Sequence, residues 1–326
     1  MMLKAEIHCH LEGSASTGLV LQQADKYGAD VSEFIQDGAF VWHDFTSFLA
    51  AYDAASSLFR SEDDFALMIE DYLTTIARMG AIYSEVFTSP DHAENSGVSA
   101  QAYTDAIGEG MERAKAKTGI EARQIVTGVR HFGVEAVERA ARFAANCSHP
   151  LITGFGMGGE ERFGQAEDYA RAFEIAREAG LGITVHAGEL AGWESVADAL
   201  DHIRPARIGH GVRAIENPDL VRRIADEGVV LECCPGSNIS LNVFDSFASH
   251  PVPAFIEAGC VVTLSSDDPP YFHTSLQHEY DIAAEHFGMD EDGLKQMTRN
   301  SIEAAFVDEP TRKTLLERLE ETGPKY

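Results

Sequence analysis

Four short stretches of this chain carry the side chains that a hydrolytic metal centre needs. They are His8-Cys9-His10, His186-Ala187-Gly188-Glu189, Gly209-His210-Gly211 and Asp267-Asp268-Pro269. Imidazoles and a carboxylate hold a divalent ion and leave a position for water, and a nearby acid or base then moves the protons. His8 and His10 are two apart. In an extended strand such residues share a face, so both imidazoles point one way and Cys9 the other. Cys9 therefore reads as packing. His186 ends the run Gly182-Ile-Thr-Val-His186, with Glu189 on the turn that follows, where Gly188 lets the chain approach a ligand closely. Asp267 and Asp268 follow Val262-Thr-Leu-Ser-Ser266. Adjacent carboxylates repel unless a cation or a hydrogen-bond donor is near. Each piece alone also has an ordinary reading: a core histidine, a chance His-x-His, an Asp-Pro turn. Their joint placement separates the readings.

Residues so far apart in the chain meet only on a scaffold that gathers strand ends. Short apolar runs read as strands at Ala5–His8, Ala81–Phe87, Ala122–Val129, Leu151–Phe155, Gly182–His186, Arg207–Gly209, Val229–Cys233 and Cys260–Ser265. Helical patterns lie between them, at Asp64–Met79, Ala100–Lys117, Val134–Asn146, Ala166–Gly180, Ser195–Ile203, Pro218–Glu227 and Pro253–Gly259. Gly180, Gly228 and Gly259 are helix stops that lead into strands. The repeated unit predicts an α/β fold, a (β/α)8 barrel of TIM type, in one domain spanning 1–326. No GxGxxG follows the first strand, which argues against an open dinucleotide-binding sheet. In a barrel, the carboxyl ends of the strands carry the active site, and the four stretches fall there, as does Cys233-Cys234. Two segments break the alternation. Residues 14–61 form a mostly helical insertion after the first strand, with aromatic residues Phe40, Trp42, Phe45, Phe48, Tyr52 and Phe59, placed either as a roof over the site or against the barrel side. Glu291–Leu319 adds helices after the last strand.

Composition limits the partners. The net charge of −28, from 25 basic and 53 acidic residues, would repel a phosphate backbone, so no nucleic-acid partner is expected. The five cysteines contain no CxxC pair, the first residues lack an apolar signal core, and no apolar run is long enough for a bilayer. The expectation is a cytoplasmic protein with no membrane partner. No lysine lies near Leu151–Gly159, where binuclear barrels place a bridging modified lysine, so a single metal is favoured. The His-x-Glu and Pro-Cys-x-x-Cys signature of cytidine-type deaminases is absent.

Taken together the motifs resemble the adenosine deaminase family, metal-dependent amidohydrolases on a (β/α)8 barrel. The match spans nearly the whole chain, in family order: Glu-Ile-His-Cys-His-Leu-Glu-Gly-Ser, Thr-Gly-Phe-Gly-Met-Gly-Gly-Glu-Glu, Val-His-Ala-Gly-Glu, Ile-Gly-His-Gly, Cys-Pro-Gly-Ser-Asn and Ser-Ser-Asp-Asp-Pro. The resemblance implies one Zn2+ per chain on His8, His10, His186 and Asp267. It implies that His210 orients the attacking water, that Asp267 accepts its proton and that Glu189 protonates purine N1, which requires a raised pKa. Asp268 would bond N7 and the Gly159 N–H would bond N3, with His10 and Glu12 also at the substrate. Asp44-Phe-Thr-Ser-Phe-Leu-Ala-Ala-Tyr-Asp53 resembles the family's lid, with Phe45, Phe48, Leu49 and Tyr52 as its apolar wall. Two features depart from the adenosine pattern: Glu12 stands where nucleoside-specific members carry a ribose-contacting Asp, and Glu there is typical of adenine deaminases, as is Asp267-Asp-Pro-Pro-Tyr-Phe272. Met157-Gly-Gly-Glu-Glu161 and Thr274–Tyr280 are closer to the adenosine type. The expected reaction is therefore adenosine, and 2′-deoxyadenosine, to inosine plus ammonia in purine metabolism. The alternatives are adenine to hypoxanthine, a modified adenine nucleoside, and a zinc-stabilised binding protein without turnover.

Overall fold

The computed structural model describes residues 2–321. Its strands are β1 (Lys4–Glu6), a hairpin of β2 (Ile35–Gln36) and β3 (Ala39–Phe40), then β4 (Ala81–Thr88), β5 (Glu121–Val129), β6 (Ile152–Gly158), β7 (Gly182–Ala187), β8 (Arg207–His210), β9 (Val230–Cys233) and β10 (Val262–Leu264). Eight of them form one sheet in the order β1-β4-β5-β6-β7-β8-β9-β10, and every neighbouring pair is parallel. This is the (β/α)8 barrel that the repeat predicts. Parallel strands are covered on both faces, which is why β4 is buried throughout, its polar Ser84, Glu85 and Thr88 included. The helix Pro218–Glu227 ends on Gly228 at φ 68°, a left-handed position that glycine takes without strain, and β9 begins two residues later. No helix among the described residues is long and apolar enough to cross a membrane.

The barrel closes where the chemistry sits. β1 stops at Glu6, short of the expected His8, and the last contacts are single bridges from Cys9 to Asp267 and from His10 to Phe87. The His10 N–H donates to the Asp267 carbonyl at 3.0 Å, and the Asp267 N–H donates to the His8 carbonyl at 3.2 Å. First and last strands are thereby stitched at their carboxyl ends, through the backbone of three proposed ligands. Cys9 packs in the apolar core with Leu11, as its parity requires.

Elsewhere the expected elements need modest correction. The insertion is not purely helical: between the helices Thr17–Tyr27 and Phe45–Ser56 it contains the β2–β3 hairpin. Asp37 and Gly38 turn it with φ of 51° and 79°, the pair of positive values a two-residue hairpin turn demands. The stretch expected as one helix over Ser195–Ile203 is an α-helix at Trp193–Asp198 that widens into a π-helix at Ala199–Ile203. The helix expected at Pro253–Gly259 runs Val252–Glu257. The C-terminal helices Glu291–Ala304 and Glu309–Glu321 cover the amino ends of the first strands, burying Ile302 and Leu315 against Ala5, Ile82 and Tyr83.

The floor of the barrel is polar and connected to the site. Arg207, fully buried at the start of β8, pairs with Glu85 at 2.7 Å and Glu232 at 2.6 Å and lies 3.6 Å above the Phe306 ring. Glu232 in turn accepts from His8 Nδ1 at 2.7 Å and from the Thr184 hydroxyl at 3.0 Å. Burial works against the ionised form of Glu232, but Arg207 and His8 hold its pKa below the usual range. Removing Arg207 would leave two buried carboxylates without their cation. Arg207→Met is expected to cost about 3–5 kcal/mol in urea unfolding. A loss under about 1 kcal/mol, the scale of an exposed pair, would show that the floor tolerates those charges without it.

Candidate active site

Three strand ends bring the expected ligands together. Nε2 or carboxylate atoms of His8, His10, His186 and Asp267 lie within 4.8 Å of one another. His10 Nε2 is 3.1 Å from His186 Nε2, and Asp267 Oδ1 is 3.5 Å from His8 Nε2 and 3.4 Å from His10 Nε2. The surrounding hydrogen bonds assign which atoms are free. His8 Nδ1 donates to Glu232 and His186 Nδ1 donates to the Met157 carbonyl at 2.9 Å, so in each neutral ring Nε2 presents a lone pair to the centre. His8 Nε2 is buried with no hydrogen-bond partner. Asp267 Oδ2 accepts from the Ser237 hydroxyl at 2.6 Å, leaving Oδ1 turned inward. Three imidazole lone pairs and one carboxylate oxygen converging on one point fit a divalent metal of the zinc class.

A second overlapping set, His8, His210, Cys234 and Asp267, is equally compact. It fits less well. Burial and the nearby Asp267 and Glu279 push the Cys234 thiol up, whereas a metal takes thiolate. His210 Nδ1 is also occupied, accepting from Asn238 Nδ2 at 3.4 Å.

Electrostatics divides the acidic groups. Asp267 stays ionised: burial opposes its charge, but its hydrogen bond to His8 and the charges of His210, His8 and His10 lower its pKa strongly. Burial resists the protonation of His8, yet Asp267 and Glu232 raise it to about 9, so the centre calls for a positive charge even without an ion. Burial takes His10 down to about 4 and His210 to about 3, and it moves His186 further down, aided by the neighbouring imidazoles. Glu189 and Asp268 behave oppositely to Asp267. Burial first, then the Asp267 charge, lifts both well above the carboxylate range, and burial also lifts Glu12. The site thus sets one carboxylate, Asp267, against two buried acids, Glu189 and Asp268, pushed toward the protonated form that donates hydrogen bonds, the division of labour that acid–base sites use.

Placement follows the same lines. His210 and Asp267 have φ of 60° and 63°, values costly for non-glycine residues, found where function constrains the backbone. His210 Nε2 lies 3.5 Å from Glu189 Oε1 and 3.9 Å from Asp267 Oδ2. Asp268 Oδ1 is buried without a partner. A Cβ on Gly13 would fall 1.6 Å from that oxygen, so only glycine lets Asp268 enter beside the His pair. A cavity of about 680 Å³, measured out to its mouth, is lined by His10, Glu12, Gly159, His186, Glu189, His210, Asp267 and Asp268. Phe45, Phe48, Leu49 and Tyr52 face it from the helix Phe45–Ser56, so this part of the insertion lies over the strand ends and not along the barrel side.

The sequence reading overlooked several groups the site depends on. Glu232, a lone charge inside an apolar strand, was visible as an oddity. Ser237 and Asn238 lie in Cys-Pro-Gly-Ser-Asn, a motif that carried no role. Glu12 is held by the hydroxyls of Tyr103, at short range, and Tyr52, at 3.5 Å. Nothing near Tyr103 in the sequence signals that partnership.

The model for the adenosine deaminase family matches residues 3–322. An adenine deaminase of Mesorhizobium japonicum is 72% identical over 319 residues, 98% of each chain. Among solved structures, the adenine deaminase of Arthrobacter aurescens superposes with a TM-score of 0.89 at 27% identity, covering 98% of this chain and 99% of that one. An amidohydrolase from Burkholderia ambifaria, solved with bound zinc, gives a TM-score of 0.88 at 25% identity over 98% of this chain and 91% of that one. On the family match over nearly its whole length, and with the barrel fold to go with it, the chain belongs to the adenosine deaminase family, hydrolases that act on the C–N bond of cyclic amidines.

Proposed function

We propose that this protein hydrolyses adenine, the free base, to hypoxanthine and ammonia, using one zinc ion on His8, His10, His186 and Asp267. The observation that carries the choice of substrate is Glu12. It is 1% exposed, its carboxyl is shared between Tyr103 and Tyr52, and it lines the cavity two residues after His10. A nucleoside-binding member of the family contacts ribose with a shorter Asp there. The longer side chain, pinned by two phenols, fills the space a sugar needs. The names of the relatives agree. Of the two segments that favoured adenosine, Thr274–Tyr280 does not line the cavity, and Met157–Glu161 reaches it only through Gly158 and Gly159. Glu279 instead accepts from the Gly236 N–H at 3.0 Å and from Thr274.

When bound, the ion supplies Lewis acidity that lets water ionise near neutral pH. Asp267 accepts the proton of the attacking water, and His210, neutral with its hydrogen on Nε2, holds the water against C6. Glu189 delivers its proton to N1, which makes C6 more electrophilic. Asp268 donates to N7 and the Gly159 N–H to N3, so neutral adenine meets donors at its acceptor nitrogens. The C6–N bond then breaks as the amino group takes the proton held by Asp267 and leaves as ammonia, and the new C6 hydroxyl returns a proton to Glu189 to give the carbonyl of hypoxanthine. Phe45, Phe48, Leu49 and Tyr52 act as a lid that excludes bulk water.

The test is turnover of adenine and of adenosine, each followed at the adenine absorption band, with zinc measured per chain. We expect kcat/KM for adenine to exceed that for adenosine by at least about 100-fold, because a misfitting group strands buried polar partners. Adenosine turned over as well as adenine would overturn the free-base reading. Turnover of neither, with zinc bound, would favour a modified adenine substrate.

A further inference from the structure

One buried carboxylate outside the ligand set makes more hydrogen bonds than any group in it. Glu161, 4% exposed, follows the end of β6 by three residues. Its Oε1 accepts from the Gly188 N–H at 2.5 Å and the Ser195 hydroxyl at 2.7 Å. Its Oε2 accepts from the N–H groups of Glu189 at 3.1 Å, Leu190 at 2.6 Å and Ala191 at 2.8 Å. Five donors more than fill the roughly four lone-pair sites of one carboxylate, so two of the three on Oε2 share one. Four consecutive backbone N–H groups aimed at one point form an anion nest, and here the chain supplies its own anion. The bend requires Gly188, which sits at φ 69° and whose Cβ would lie 2.3 Å from Val196. The segment bearing Glu161 is itself fixed: Arg130 donates to the carbonyls of Phe163 at 3.0 Å and Gly164 at 3.1 Å.

The Glu189 side chain is the counterpart. Its carboxyl lies 3.5 Å from Asn238 Nδ2 and 3.5 Å from His210 Nε2, with the Ser237 hydroxyl, itself turned to Asp267, as its remaining side-chain partner. Those contacts do not orient a proton donor. The turn it stands on does. We propose that Glu161 is the positioning residue for the proton donor: its carboxylate locks the turn 188–191 and so aims Glu189 at the substrate ring. This rests on the role given to Glu189 above.

Glu161→Gln keeps the size of the side chain but turns an NH2 toward backbone donors. Misplacing a reacting group by about 1 Å costs roughly 100-fold in rate, so kcat for adenine is expected to fall about 100-fold while KM moves less than about threefold. Zinc content should stay at one per chain. Amide hydrogen exchange at 188–191 should accelerate by at least about 100-fold with β7 unchanged, reporting local opening without any substrate. In a Glu189→Gln background the same change should alter kcat less than about threefold, because residues acting through one another are non-additive. Ser195→Ala, which keeps the carboxylate and removes one donor, should give the same pattern in smaller measure and serves if Glu161→Gln does not fold. Unchanged exchange at 188–191, or a full kcat loss in the Glu189→Gln background, overturns the proposal. A wild-type protein that leaves adenine untouched sinks the proposed substrate instead, and the exchange result still decides the clamp.

Discussion

Glu189→Gln is expected to lower kcat for adenine by about 10³-fold at neutral pH, within the range that general acid catalysis contributes. The reason lies in what glutamine keeps and loses. It fills the same space and still offers an N–H to purine N1, so KM should change little. It has no proton to give, and N1 must gain one before C6 accepts water. In the wild type that proton is present because burial, then the charges of Asp267 and Glu161, lifts the Glu189 pKa well above the carboxylate range. The wild-type rate should therefore fall as pH rises through that elevated pKa, and the falling limb should vanish in the variant. Stability gives an independent check on the same group. In the unfolded chain Glu189 ionises near its ordinary pKa of ~4.3, while the folded protein keeps it protonated. Between those two pKa values the native state binds the extra proton, so Glu189 lowers stability progressively as pH rises. Glutamine removes that dependence, and the variant should match or exceed the wild type in unfolding midpoint at about pH 8. A variant with near wild-type kcat would exclude Glu189 as the donor.

How much of this was legible in the chain follows from where the information sits. Strands buried on both faces are short apolar runs, and helices between them have their own period and glycine stops, so the barrel and its order could be read locally. Candidate ligands at strand ends are polar residues that terminate apolar runs, which is why His8, His10, His186 and Asp267 stand out. The hairpin at Asp37-Gly38 carried a local turn signal too, and the aromatic residues around it obscured it. The supporting residues are a different matter. Glu161 meets Gly188–Ala191 about 30 residues away, and Glu232 meets His8 across 224. A carboxylate in such a place has no periodicity and no neighbour to betray it, because its partners are backbone N–H groups or one distant ring. Met157–Glu161 divides in the same way: Gly159 lines the cavity, while the last glutamate holds the loop that carries Glu189.

Asp267→Ala should have the largest effect of all, through three losses at once. It removes the single carboxylate among the proposed ligands, the acceptor of the water's proton and the partner that balances the positive centre. Lewis acid stabilisation alone is worth several kcal/mol, so kcat should fall by at least about 10⁴-fold, with zinc content well below one per chain. Chelation of the wild type should reproduce the loss, and added zinc should restore the wild type but not the variant. The pH dependence of reloading distinguishes this centre from a generic zinc site. In the stripped protein His8 has a pKa of about 9, because Asp267 and Glu232 overcome the cost of burying its charge. A proton therefore occupies Nε2 at neutral pH and must leave before that nitrogen can bind a metal. Apparent zinc affinity should rise about tenfold per pH unit from neutrality up to about pH 9 and then level off. Removing Asp267 takes away a raising influence on His8, so in the variant the plateau should begin at lower pH. A plateau unmoved in Asp267→Ala, or zinc retained at one per chain, would place the carboxylate outside the ligand set.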